Sequence, residues 1–183
     1  MTKKTRTYTL EIAGLTRELP IIPINDEVSI ASFVILGDTE LICKVAPLLI
    51  NKLPNFDVLV TAEAKGIPLA FEVSRILGMN YIVARKGVKA YMENPIEEKV
   101  NSITTKETQL VCFDGDDVTQ IREKKVVIID DVISTGESVA AIERLINKAG
   151  GEVVAKIAIL AEGDAAKRSD IIYLQELPMF FNK

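Results

Sequence analysis

The chain has 183 residues, 48% of them hydrophobic and 26% charged, with a net charge of −4 and no histidine. That length suits one domain with a substantial core, and the charge balance excludes a broad basic surface of the kind that holds nucleic acid nonspecifically. The missing histidine rules out a Ser-His-Asp triad, a Cys-His dyad and the usual His-bearing metal sites, so proton transfer falls to carboxylates, lysine, water or substrate. Cys43 and Cys112 are the only 2 cysteines; they lie far apart without paired-ligand spacing, and each reads as a small core residue rather than half of a disulfide. No uninterrupted apolar run approaches a membrane span, and the basic start, Met1 to Arg6, leads into alternating polarity rather than a signal core. A cytoplasmic protein is expected.

Residues 5–12 alternate in polarity and predict a strand with Leu10 and Ile12 inward and Glu11 outward. Pro20 and Pro23 then forbid regular helix. Residues 28–36 are small, mixed and apolar, suited to a lid. Residues 41–53 have helical spacing around Pro47, which predicts a kink or a break there. Residues 56–61 read as the first strand of the main sheet. They run into a small-residue loop, Ala62-Glu63-Ala64-Lys65-Gly66-Ile67-Pro68, and then an amphipathic helix over 69–77 with proline at its start and Gly78 at its end.

A second strand, residues 80–84, delivers three cations about a glycine, Arg85-Lys86-Gly87-Val88-Lys89, at its carboxyl end. A long polar segment follows to Thr108. Residues 109–113 predict a strand returning from it, with Asp114-Gly115-Asp116-Asp117 as a solvated turn, because these acids lack the glutamate spacing of a calcium loop.

The most informative stretch comes next. Val126, Val127, Ile128 and Ile129 read as a central strand buried on both faces, with Asp130 and Asp131 at its carboxyl end. Beyond Val132 and Ile133, Ser134-Thr135-Gly136-Glu137-Ser138 leads into a helix over residues 139–146. Free N–H groups at a helix start, with hydroxyls beside them and a glycine allowing close approach, suit a phosphate monoester. The two aspartates suit hydroxyls or a metal, so the segment matches a ribose 5-phosphate. Ser134 and Glu137 are also spaced as a capping box, which predicts that Glu137 bonds back to the N-cap amide and faces away from a ligand. Gly150 and Gly151 end the helix. Residues 153–160 form another buried strand, Ala161-Glu162-Gly163-Asp164 lies at its carboxyl end, and residues 171–174 make a short last strand. Alternating β and α elements predict an α/β fold: a parallel sheet with helices on both faces, in one domain without repeats.

The ordered run of four apolar residues, two acids, two apolar residues and a small-Thr-Gly turn resembles the 5-phosphoribosyl-1-pyrophosphate (PRPP) signature of the type I phosphoribosyltransferases. Glu137 stands where many members carry a second glycine. The resemblance spans nearly the whole chain. It implies a small N-terminal hood with the first helix over about residues 1–50 and a PRPP-binding core over about residues 55–183. It implies that Glu63, Ala64, Lys65 and Gly66 bind pyrophosphate, that Asp130 and Asp131 hold the ribose hydroxyls, and that Ser134, Thr135, Gly136, Glu137 and Ser138 receive the 5-phosphate. Arg85, Lys86 and Lys89 would neutralise pyrophosphate as the anomeric C–O bond breaks. Mg²⁺ would be carried by PRPP, with no direct metal site beyond contacts from Asp130 and Asp131.

The Arg-Lys loop and the long lid resemble the purine-type members, adenine phosphoribosyltransferases first and xanthine-specific ones second, and imply a homodimer with an apolar contact near Tyr81, Tyr91 and Met92. Phe33, with Ile35 and Leu36, offers a flat wall for a bicyclic ring. Adenine enzymes often carry a glutamate in the returning loop where this chain has Ile103 or Thr104, which leaves the base and the proton-transfer group open. A different class of function, a PRPP-sensing regulator of purine genes, resembles the same domain but would add an N-terminal DNA-binding domain, for which this chain has no room.

Overall fold

A computed structural model of the chain describes residues 6–100 and 109–181. The basic residues Lys3 and Lys4 and the stretch with Ile103 and Thr104 lie outside them. The core is built on β8 (Lys125–Ile133), whose Val126, Val127, Ile128 and Ile129 are all at most 1% exposed. β4 (Val58–Ala62) and β9 (Glu152–Glu162) flank it, and with β5 (Tyr81–Ala84) and β10 (Ile171–Leu177) they make a parallel sheet of 5 strands in the order β10-β9-β8-β4-β5.

Alternation along β8 feeds two cores. Val127 and Ile129 pack on the side of α1 (Thr39–Ile50) and α2 (Ile67–Leu77), whereas Val126 and Ile128 face α4 (Glu137–Ala149). Each buried Val or Ile contributes roughly 1.5–3 kcal/mol, so a strand covered on both sides anchors the domain. Because Ala62 pairs with Ala84 and Thr61 with Ile129, the loops after β4, β5 and β8 emerge at one end of the sheet, where open α/β sheets bind ligands.

β1 (Thr7–Ile12), β2 (Leu15–Pro23) and β3 (Val28–Ala31) form an antiparallel hood, with Leu10 and Ile12 buried as their alternation predicts. The hood is not purely N-terminal. β11 (Met179–Phe181), which has no signal in the sequence reading, pairs with β3 and closes the sheet order β1-β2-β3-β11. A separate hairpin, β6 (Ile96–Val100) with β7 (Gln109–Phe113), joins the end of β5 through mutual backbone hydrogen bonds of Arg85 and Cys112 at 3.0 and 2.9 Å.

Several expectations need correction. α1 starts at Thr39 and runs unbroken through Pro47. Pro47 lies on its exposed side near the last turn, its carbonyl still accepts the Asn51 N–H at 3.2 Å, and the end tightens through Lys52 N–H to Leu49 O at 2.9 Å, so the proline withholds a single bond close to the helix end. Cys43, on the same exposed side, is not a core residue, whereas Cys112 is. The acidic turn at Asp114 is instead the start of α3 (Gly115–Ile121), because Asp114 and Asp117 exchange side-chain and backbone hydrogen bonds in a capping box.

Candidate active site

Three loops from the carboxyl ends of β4, β5 and β8 enclose a cleft of about 220 Å³ whose walls include Ala64, Lys65, Lys86, Asp130, Asp131 and Ser138. The small-residue loop reaches the acidic pair because Gly66 lacks a side chain. A Cβ there would meet the Thr61 hydroxyl and come within 3.0 Å of Asp130 Oδ1. Lys65 Nζ then stands 3.0 Å from Asp131 Oδ2, whose side chain is only 2% exposed. This ion pair is the compensation for a buried carboxylate oxygen that accepts no hydrogen bond among the described residues.

Asp130 is half-buried beside it, and its Oδ1 accepts the Asp131 N–H at 2.9 Å. Loss of solvation first, and the Asp131 charge second, push its carboxyl up to about 7, with Lys65 offsetting part of the effect. Two adjoining carboxylates with one compensating lysine attract hydroxyl donors or a cation. Among the described residues no group of 3 or more His, Cys, Asp or Glu side chains could hold a metal alone.

Of the three cations after β5, the structure brings Lys86 to the cleft. Arg85 is held at the edge. Its Nε donates to Glu63 Oε2 at 3.2 Å and its Nη1 to the Tyr91 hydroxyl at 2.8 Å. The same Glu63 oxygen accepts the Lys86 N–H at 2.8 Å, and these donors hold the Glu63 carboxyl below its usual value. Glu63 therefore braces one loop against the other. Lys89 Nζ folds back to the Lys86 carbonyl at 3.3 Å. Tyr91 is 63% exposed, but Tyr81 and Met92 are half-buried within the subunit, Tyr81 against the hood-side core.

The turn from Ser134 to Ser138 does not form the expected capping box. α4 begins at Glu137 and its N-cap is Gly136 at φ 79°, which supplies no side-chain cap; the Thr135 hydroxyl accepts the Glu137 N–H at 3.4 Å. With Gly136 left-handed, residues 134 and 137 are not the N-cap and third helical positions that a box requires, so Glu137 is spent as the first helical residue. Thr135 and Ser138 are exposed and Ser134 is half-buried. Arg168, absent from the sequence reading, has its Nη1 against Gly136 where a Cβ would collide, while its Nε and Nη2 bind Asp170 at 2.9 and 2.7 Å.

A second cleft, about 360 Å³, lies between the hood and the core. It shares Lys65 and Val132 with the first and adds hood residues 30–34, Ser134, Glu162 and Leu177. Phe33 lines it as expected. Ile35 is fully buried and Leu36 is 50% exposed, and neither lines this cleft, so the predicted three-residue wall reduces to Phe33 beside Val34. Glu162 is 8% exposed, and its Oε1 has no hydrogen-bond partner among the described residues; burial pushes its carboxyl up and Lys65 pulls it down. Its one signal in the sequence is its place at the carboxyl end of a buried strand.

A helix with an open, hydroxyl-rich start behind an acidic pair, facing a lysine loop, is the arrangement that the resemblance to the type I phosphoribosyltransferases implies. Residues 41–178 match the phosphoribosyl transferase domain, and the chain belongs to that family. Its relatives include an adenine phosphoribosyltransferase from Thermosipho africanus, 30% identical over 90% of this chain and 98% of the relative. They also include a hypoxanthine/guanine phosphoribosyltransferase from a Methanocaldococcus species, 36% identical over 79% and 68%. The fold matches that of adenine phosphoribosyltransferase from Thermoanaerobacter pseudethanolicus, with TM-score 0.72 and 22% identity over 86% of this chain and 95% of that one. It is the type I fold that the signature predicted. Among the described residues no helix is long and apolar enough to cross a membrane.

Proposed function

We propose that the chain is a cytoplasmic purine phosphoribosyltransferase that moves the 5-phosphoribosyl group of PRPP onto adenine and releases pyrophosphate. One observation carries this reading: a single cleft unites Lys65, Lys86, the Asp130-Asp131 pair and Ser138 of the uncapped turn, so both phosphate ends and the ribose of PRPP have partners at once. The 5-phosphate takes the N–H groups and hydroxyls of the turn from Ser134 to Ser138. Asp130 and Asp131 accept the ribose hydroxyls and oppose the positive charge that grows at the anomeric carbon. Lys65 and Lys86 receive the departing pyrophosphate, with Arg85 and Lys89 adding positive field from the edge.

Mg²⁺ carried by PRPP would screen the pyrophosphate charge. Asp130 and Asp131 are the residues that would hold the ion. Two carboxylates suit an ion that takes most of its ligands from phosphate and water. The base enters the hood cleft against Phe33 and meets the anomeric carbon where the two clefts share Lys65 and Val132. Closure of the site excludes water, which would otherwise hydrolyse PRPP. A homodimer is part of the proposal, with Val88 and Tyr91 exposed beside the cation loop as contact residues; light scattering at micromolar concentration checks it.

A second reading, transfer to hypoxanthine or guanine, is favoured by relatives such as the hypoxanthine/guanine enzymes of Methanococcus voltae, 32% identical over 76% of this chain and 71% of the relative, and the Methanocaldococcus species. Incubation with PRPP, Mg²⁺ and each of adenine, hypoxanthine, guanine, xanthine, uracil and orotate separates these. AMP is the expected product. IMP or GMP promotes the second reading, XMP alone the xanthine enzyme, and no product from any base points to the PRPP-sensing regulator.

A further inference from the structure

Three buried side-chain oxygens accept or donate no hydrogen bond among the described residues: those of Thr61, Asp131 and Glu162. One of them has an ionic partner, and another, on Thr61, lines neither cleft. Thr61 Oγ1 lies where Gly66 approaches and Asp131 Oδ2 faces Lys65. Glu162 Oε1 has neither a close donor nor an ion pair among the described residues, although Glu162 is 8% exposed. A buried carboxylate oxygen without a donor is unfavourable unless something that binds supplies one.

The surroundings define what that something is. Glu162 pairs with Leu177 at the end of β9 and lines the hood cleft, whose other walls include Phe33, Val34, Val132 and Leu177. These apolar side chains suit the faces of a flat ring. The carboxylate is an acceptor, so the edge of the ring that reaches it must carry N–H. Lys65 lines the same cleft but is engaged by Asp131 at 3.0 Å.

We propose that Glu162 reads the edge of the base and selects a purine bearing an exocyclic amine. The inference rests on the purine-transferase reading and names the substrate class within it: aminopurines over xanthine. Xanthine places each N–H of its six-membered ring beside a carbonyl oxygen, and bringing such an oxygen to a buried carboxylate sets two acceptors against each other. The exocyclic amine of adenine or guanine has no carbonyl oxygen beside it and projects beyond the ring nitrogens, so its N–H reaches the carboxylate first, and a polar group built into a buried site discriminates strongly between such edges.

The test compares the wild type with Glu162→Gln and Glu162→Leu, using adenine, guanine and xanthine as acceptors, with thermal melting of the free proteins alongside. In the wild type, kcat/KM for adenine or guanine should exceed that for xanthine by about 100-fold or more. Glu162→Gln should lower kcat/KM for the amine-bearing base by roughly 10-fold, mainly through the KM of the base, and change the KM of PRPP by less than about 3-fold. Glu162→Leu should melt no lower than the wild type, since the unpaired acceptor is gone; a merely structural glutamate would melt lower on removal. Unchanged base selectivity in both variants, or a preference for xanthine in the wild type, overturns the assignment while leaving the transferase reading intact. If no base is turned over, calorimetry with AMP, GMP and XMP decides. Preference for AMP or GMP that is lost in Glu162→Gln sustains the assignment and sinks the transferase reading, and the absence of any such preference sinks both.

Discussion

Two segments of this chain place aspartates ahead of a helix, and the fold uses them in opposite ways. At Asp114 the acids are consumed locally. Asp114 accepts the Gly115 and Glu93 N–H groups at 2.7 and 2.8 Å, and Asp117 returns a bond to the Asp114 N–H at 3.2 Å, so the start of α3 is closed by its own side chains. At Asp130 the acids lie within β8, a turn from Ser134 to Gly136 separates the strand from α4, and the N-cap Gly136 takes the left-handed conformation and supplies no side-chain cap. A closed start stabilises a helix, whereas an open start keeps donors for a ligand. Similar acid content thus serves structure in one place and binding in the other, and what separates them is where the helix begins relative to the acids.

The comparison breaks most readily at Asp131. Replacing it with asparagine leaves Lys65 without its partner and should lower kcat/KM by about 100-fold or more, whereas Asp116→Asn should change it less than about 2-fold; steady-state nucleotide formation measures both, and similar losses would end the distinction. Gly136→Ala should cost about 1–2 kcal/mol, since alanine is strained at φ 79° and its Cβ collides with Arg168. The same change should weaken PRPP binding about 10-fold by disturbing the anion site, read by calorimetry. Asp114→Ala should cost about 1 kcal/mol in a denaturant melt and leave the KM of PRPP unchanged, because it removes a cap remote from the ligand.

The smallest effect is one of pH. The folded Asp130 holds its proton to about 7 while the unfolded chain releases it near the ordinary carboxylate value of 3.8. Between those values the native state binds more protons, so this group makes the ligand-free protein less stable as pH rises through the window. Asp130→Asn should therefore flatten the fall in melting temperature from pH 5 to pH 8. Asp117, also pushed up by burial, contributes a slope of the same sign that this substitution leaves in place. An unaltered profile would mean that the acidic pair carries no uncompensated charge in the free protein.

Much of this architecture was legible because the informative patterns are local. Four β-favouring residues followed by two aspartates can be buried on both faces in few ways, and β8 formed accordingly with Val127 and Ile129 on one face and Val126 and Ile128 on the other. Proline in the first turn of α2 and Gly78 and Gly150 after α2 and α4 marked helix ends through backbone conformations that side-chain context hardly alters. The spacing of Lys65, the cation loop and the signature placed three loops at one end of a sheet, and Lys65, Lys86 and the acidic pair do share one cleft.

What only the tertiary structure decided depends on partners distant in the chain. The start of α4 turned on the backbone angle of Gly136 and on Arg168 packed against it, and no spacing rule reports either. β11 is 3 residues long and forms because β3 offers it an edge. Glu63 became a brace because Arg85 and the Lys86 amide arrive beside it from β5, 22 and 23 residues away. Glu162 stands out only once the hood lies beside it: residue type and strand position follow from sequence, but burial without a hydrogen-bond donor among the described residues is a property of the assembled cleft.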